Sequence, residues 1–123
     1  MARVIHFEIP ADDPERSMRY YKEVFGWEFT KWEGPPPYWL VTTGPKDQPG
    51  IDGGLMARPK GPGAVTVNTV QVDNVDECIK VVEKAGGKVC VPKMAIQGVG
   101  WLAYCTDPEG IVTGIMHMDP NAK

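Results

Sequence analysis

The chain has 123 residues, a formal net charge of −3, 42% hydrophobic residues and 24% charged residues, which is typical of one globular domain. It has no run of Lys and Arg, which argues against nucleic acid as a partner, and no apolar stretch near the ~20 residues that span a bilayer, so we expect no membrane partner. The N-terminus lacks the apolar region of a signal peptide and the three cysteines show no CxxC spacing, so we expect a cytoplasmic protein with reduced, buried thiols.

The first half of the chain predicts one strand, one helix and three further strands. Residues 3–10 are rich in β-branched and apolar residues, which favours a strand. Asp13 followed by Pro14 is typical of a helix start, and Gly26 is typical of a helix end. Three short strands separated by turn residues are then predicted at 27–33, 38–43 and 51–57.

The second half of the chain predicts the same order of elements. An extended run at 64–72 precedes a helix that Asn74 caps and that Gly86-Gly87 ends. Three more strands are predicted at 88–92, 99–105 and 111–118.

The two halves also match residue by residue. Placing Val4 on Val65 aligns 4–29 with 65–90 without a gap, and 50–56 aligns with 110–116. This period is long enough for a duplicated structural unit. We therefore predict one domain, 1–123, made of two βαβββ modules, 1–57 and 64–119, that a linker at 58–63 joins.

The first strand predicts where a functional site lies. Ile5, Phe7 and Ile9 alternate along it and form the face that meets the helix, so His6 and Glu8 point to the opposite face. A dry core does not favour His and Glu as neighbours on one face. We therefore expect this face to line a cavity or cleft.

The motifs HFEIPADDPERSMRYYKEVFGWEF, VDNVDECIKVVEKAGGKV and DPEGIVTGI resemble those of the vicinal oxygen chelate superfamily. This group contains glyoxalase I, bleomycin resistance proteins and extradiol dioxygenases. The resemblance spans nearly the whole chain. It implies an α+β fold in which two βαβββ modules form a curved, cup-shaped mixed sheet with the helices on its outer face. It also implies a homodimer.

The resemblance further implies four positions for metal ligands, two from each module, on the first and last strands. In this sequence those positions carry His6, Gly54, Val67 and Gly114. Only His6 offers a side chain of the kind that binds a divalent metal. We therefore expect no family-type metal site and no cofactor, and we keep a divalent metal as the alternative.

His6 and Glu8 are the candidate catalytic residues. The imidazole suits a general base or a hydrogen-bonding anchor, and a relic of a lost metal site is the other interpretation of His6. The two methionines of the predicted pocket suit an irregular apolar ligand, although core filling explains them as well. The predicted ligand pocket comprises His6, Glu8, Asp52, Met56, Thr69, Trp101 and Met116.

Two functions remain open from the sequence. The first is a small-molecule binding protein without a metal, similar to the bleomycin resistance members. The alternative is an enzyme, either a metal-dependent lyase or isomerase of the glyoxalase I type or a dioxygenase, that uses His6 and nearby carboxylates.

Overall fold

The computed structural model describes residues 2–34, 36–58 and 65–123. The chain divides into two compact units. The first unit is His6–Thr66, and the second unit is Val67–Lys123 together with Met1–Ile5. The predicted α+β class and the βαβββ order in each half of the chain are confirmed.

The first unit contains one helix and a mixed sheet. Its strand order is β2-β3-β4-β1, in which β1 runs parallel to β4 and the other neighbours are antiparallel. The elements are β1 (Arg3–Ala11), α1 (Pro14–Phe25), β2 (Glu28–Lys31), β3 (Tyr38–Thr42) and β4 (Gly53–Ala57), and β1 belongs to this unit from His6 onward.

The core of the first unit lies between α1 and one face of this sheet. Ala11, Val41 and Leu55 are buried there. The residues packed against them include Phe7 and Ile9 of β1 and Met18 and Tyr21 of α1. The strand face predicted to meet the helix therefore does so through Phe7 and Ile9.

The second unit repeats this arrangement. Its strand order is β5-β8-β7-β6, again with one parallel pair, β5 with β8. Its core is built on Val75, Ala103, Cys105 and Ile115. The elements are β5 (Val67–Gln71), α2 (Val75–Lys84), β6 (Lys88–Ile96), β7 (Gly100–Thr106) and β8 (Val112–Met118).

The predicted helix caps are present in both units. The Asp13 side chain accepts a hydrogen bond from Arg16 N at 3.2 Å, and the Asn74 side chain accepts one from Glu77 N at 3.0 Å. Each bond satisfies a backbone N–H that has no partner within its helix. Gly26 ends α1 with φ of 74°, a left-handed conformation that glycine adopts without strain.

Strand β6 is longer than predicted. The prediction was a strand at 88–92, and proline lacks the N–H that a strand ladder needs. The strand instead continues to Ile96, with register shifts between Val89 and Val91 and between Val91 and Met94. The irregular pairing accommodates Pro92 within the strand.

Of the predicted linker 58–63, residues 59–63 lie outside the described residues. Arg58 donates its backbone N–H to Ala11 O at 2.8 Å. The three cysteines are free, but only Cys105 is buried, whereas Cys78 is half-buried and Cys90 is exposed. Among the described residues, neither helix has the length and apolar character needed to cross a membrane.

Candidate functional site

Three side chains from two strands of the first unit meet on the sheet face opposite α1. His6 and Glu8 come from β1, as predicted, and Tyr38 comes from β3. Strand β4 lies between β1 and β3. Its residue Gly54 pairs with Glu8 of β1 on one side and with Leu40 of β3 on the other. Because Gly54 has no side chain, Tyr38 extends across β4 and reaches β1.

Hydrogen bonds join the three side chains in a row. His6 Nε2 and Tyr38 Oη are 2.8 Å apart. The Tyr38 hydroxyl donates to Glu8 Oε2 at 3.1 Å. All three residues are half-buried, and we call them the His6–Tyr38–Glu8 cluster.

The space above Gly54 belongs to Tyr38. A Cβ atom added at Gly54 would overlap the hydroxyl and the ring carbons of Tyr38. Tyr38 therefore occupies the space that a side chain larger than that of glycine would fill at position 54.

This geometry does not fit the family-type metal set. Superfamily members often use metals. Here the position on the last strand of the first module is Gly54, and Tyr38 covers it. In addition, His6 Nε2 already forms a hydrogen bond with Tyr38. Among the described residues, no group of three or more His, Cys, Asp or Glu side chains is arranged to hold a metal ion.

Burial lowers the pKa of His6 below its ordinary value, because an imidazolium ion loses hydration in this position. The negative charges of Glu8 and Asp52 act in the opposite direction and raise it by a smaller amount. The net effect favours the neutral imidazole at pH 7.

Asp52, a predicted pocket residue, precedes β4. Its Oδ1 accepts from Thr43 N at 2.9 Å and from Thr43 Oγ1 at 3.2 Å. It also borders a cavity of about 230 Å³ that the loop between β3 and β4 encloses. Asp52 thus holds this loop and acts on His6 through its charge rather than through a hydrogen bond.

Met56 is the cross-strand partner of Tyr38. Leu55 belongs to the helix-side core, so alternation along β4 directs Met56 to the face of His6. The structure therefore brings His6, Glu8 and Met56 onto one face of the first unit.

The other predicted pocket residues belong to the second unit. Thr69 is buried, and a Cβ atom at Gly114 would lie 3.0 Å from Thr69 Oγ1 and 3.2 Å from Cε1 of Tyr104. The last-strand glycine of this unit is therefore also covered by its neighbours, among them a tyrosine ring. Met116 shares the strand face of Gly114 by alternation along β8.

Trp101 lies on the helix side of the second unit. It packs against the core of Ala103 and Ile115, and its Nε1 donates to Asp119 Oδ2 at 3.0 Å. Lys93 Nζ lies 5.1 Å from the centre of its ring. The structure therefore does not place Trp101 on the strand face of Gly114 and Met116.

A larger groove, of about 600 Å³, runs between α1 and β2. Its walls combine Met18 and Phe29 with charged groups such as Arg19 and Glu28. It lies on the helix side of the sheet, away from His6. We place the candidate site at the cluster, because chemistry depends on converging polar groups rather than on volume alone.

Tyr38 is the residue of this site that sequence reasoning missed. The signal that could have found it is Gly54 itself, since a glycine inside a strand often marks the close approach of another group. The strand that supplies this group cannot be read from the glycine alone.

Comparisons with known proteins agree with this fold. Residues 3–115 match the model of the Glyoxalase/Bleomycin resistance protein/Dioxygenase superfamily. A methylmalonyl-CoA epimerase structure from Mycobacterium tuberculosis is similar, with a TM-score of 0.69 at 15% identity, and the match covers 95% of this chain and 88% of that chain. At this identity the likeness concerns the fold alone.

Two curated relatives match at higher identity. The chain is 29% identical over 123 residues to the anthracycline biosynthesis protein DnrV of Streptomyces peucetius, a match that covers 85% of this chain. It is 25% identical over 113 residues to CFP32 of Mycobacterium bovis, which is named as a candidate glyoxylase, and that match covers 88% of this chain. The matches cover 42% of the length of either relative.

Proposed function

This chain belongs to the glyoxalase/bleomycin resistance protein/dioxygenase superfamily, and from that premise we propose that it binds a small molecule at the His6–Tyr38–Glu8 cluster without a family-type metal. The observation that carries the proposal is the position of Tyr38. Its side chain fills the space above Gly54 and lies 2.8 Å from His6 Nε2. A metal at the family position would need a nitrogen of His6 and a ligand from residue 54, and Gly54 has no side chain to provide one.

The composition of this face supports a binding site. Half-buried His6, Glu8 and Tyr38 provide polar groups, and Met56 provides a polarisable apolar surface next to them. A few fixed polar groups on an apolar surface are typical of small-molecule sites. The relative named for anthracycline biosynthesis is compatible with an organic ligand of this kind.

Titration calorimetry with nickel, zinc, manganese and iron(II) tests the absence of the metal. We expect no stoichiometric binding to the wild-type protein. Micromolar binding that His6→Ala abolishes would overturn the proposal, because it would show that His6 is a metal ligand.

A thermal-shift screen over metabolites and antibiotics tests the binding site. Ligands that bind only the folded protein raise its melting temperature. We expect a compound whose stabilising effect is lost in His6→Ala and kept in His117→Ala, the matched control at the other histidine. A compound whose effect survives His6→Ala would bind elsewhere and contradict this site.

The second candidate function is a metal-dependent lyase or isomerase of the glyoxalase I type. Two observations favour it: the charges of Glu8 and Asp52 both act on His6, and one relative is named as a candidate glyoxylase. Turnover of methylglyoxal with glutathione that requires an added divalent metal and His6 would establish this candidate in place of the first.

We also propose that the protein is a cytoplasmic homodimer and that each chain forms one domain of two modules. We propose that Thr69 and Met116 belong to the corresponding strand face of the second unit.

A further inference from the structure

We propose that Glu8 and Tyr38 hold His6 in the tautomer that is protonated at Nε2, so that Nδ1 is the acceptor that meets the ligand. The ligand is then a molecule that donates a hydrogen bond from a hydroxyl or an amine group. This inference rests on the proposed binding function and names the chemistry that the site selects.

The order of the hydrogen bonds follows from the two contacts of Tyr38. Its hydroxyl has one hydrogen, and it lies near both His6 Nε2 and Glu8 Oε2. An ionised carboxylate only accepts hydrogen bonds. If the hydroxyl donated its hydrogen to His6, Tyr38 Oη and Glu8 Oε2 would lie 3.1 Å apart with no hydrogen between them. Two acceptor oxygens would then face each other without a hydrogen bond.

The opposite order satisfies both contacts. The hydroxyl donates to the carboxylate, which gives the stronger, charge-assisted bond. The Tyr38 oxygen then accepts from His6, and so the proton of the neutral imidazole must be on Nε2. Glu8 and Tyr38 are thus positioning residues that determine which ring nitrogen carries the proton.

The other nitrogen of His6 is open to a ligand. Among the described residues, Nδ1 has no hydrogen-bond partner in this half-buried side chain. In this tautomer Nδ1 carries a lone pair and no hydrogen.

Charge narrows the ligand class further. Glu8 and Asp52 both act on His6 electrostatically. An incoming carboxylate would have no hydrogen to donate to Nδ1, and a carboxylate or a phosphate would meet this negative potential. A hydroxyl or a protonated amine meets neither obstacle.

The tautomer can be read directly by long-range proton–nitrogen NMR of uniformly labelled protein, at a pH where His6 is neutral. We expect a protonated Nε2 and an unprotonated Nδ1 in the wild type. Tyr38→Phe should shift the His6 signals toward a mixture of tautomers, and Tyr20→Phe, at an exposed tyrosine of α1, should leave them unchanged. A proton on Nδ1 in the wild type, or no change in Tyr38→Phe, would overturn the inference.

The same spectra test the ligand class with compounds that stabilise the protein in the thermal-shift screen. Compounds with a hydroxyl or amine group should shift the Nδ1 signal, whereas binding dominated by carboxylates or phosphates that lack such a donor would contradict the proposed class. If no compound binds, the proposed function fails, while the tautomer in the free protein still decides the role of Glu8 and Tyr38.

Discussion

At the scale of single residues, Gly54 determines what the candidate site contains. It lies between Glu8 and Leu40 in the sheet and leaves room for the ring of Tyr38. That room lets a side chain of β3 bond to two side chains of β1. A missing side chain is therefore as important to this site as the side chains that are present.

Gly54→Ala should destabilise the protein by about 1–3 kcal/mol, the usual effect of overpacking, because its Cβ would overlap Tyr38. The free energy of unfolding from urea titration measures this. Gly44→Ala is the control, since a Cβ there meets no atom within 4 Å, and it should change stability by less than about 0.5 kcal/mol.

A double-mutant cycle tests whether the overlap with Tyr38 causes the loss of stability in Gly54→Ala. In the background of Tyr38→Ala, the overlap is removed and Gly54→Ala should have little effect. An equal loss of stability in both backgrounds would mean that Tyr38 does not occupy this space.

His6 should make stability depend on pH. Its pKa is lowered in the folded protein by burial, so between its folded pKa and the ordinary value of about 6.5 the unfolded chain binds more protons. This contribution to stability is therefore fully present above pH ~6.5 and is lost as the pH falls toward the folded pKa.

Urea unfolding across this pH range measures the effect. His6→Gln should reduce the loss of stability on acidification, and His117→Gln should leave it in place. A steeper or unchanged pH dependence in His6→Gln would contradict the lowered pKa.

At the scale of elements, local chemistry explains the helices better than it explains the strands. Caps at Asp13 and Asn74 form the hydrogen bonds that their residue types favour. Strand β6, in contrast, passes through Pro92 because the register shifts along β7. A helix end depends on a few neighbouring residues, whereas a strand end depends on its partner strand.

Asn74→Ala should lower stability by about 1 kcal/mol, since Glu77 N would lose its acceptor at the start of α2. Thermal or urea unfolding measures the change. Asp73→Ala, at the exposed residue before the cap, is the matched control and should be close to neutral. Equal effects of both changes would contradict a specific capping role for Asn74.

At the scale of the whole molecule, the duplicated sequence produces two units with the same order of elements. In each unit a neighbouring strand places a tyrosine over the last-strand glycine, Tyr38 over Gly54 and Tyr104 over Gly114. The two halves thus share their framework, but only the first unit combines this tyrosine with a histidine on its first strand.

A homodimer is expected because sheet edges are usually paired or covered. Among the described strands, β2 pairs only with β3, and β6 pairs only with β7. Sedimentation velocity at micromolar concentrations should show a dimer. A monomer at every concentration tested would contradict the prediction.

Much of the fold could be predicted from the sequence, because its signals are local or repeated. Alternation along β1 placed Phe7 and Ile9 toward α1 and His6 and Glu8 on the other face. Trp101 could not be placed in this way, since an aromatic residue on a strand suits either face. Only the folded structure shows that Trp101 contacts the helix-side core and Asp119.

The sequence by itself determined the order of elements, the helix caps and the family, and it carries no metal-binding side chain at Gly54, Val67 or Gly114. Only the tertiary structure decided what occupies the space above Gly54. Tyr38 is 32 positions from His6 in the chain, and their contact depends on the strand order, the register and the free space above one glycine. These are properties of paired strands, and no periodicity along a single strand contains them.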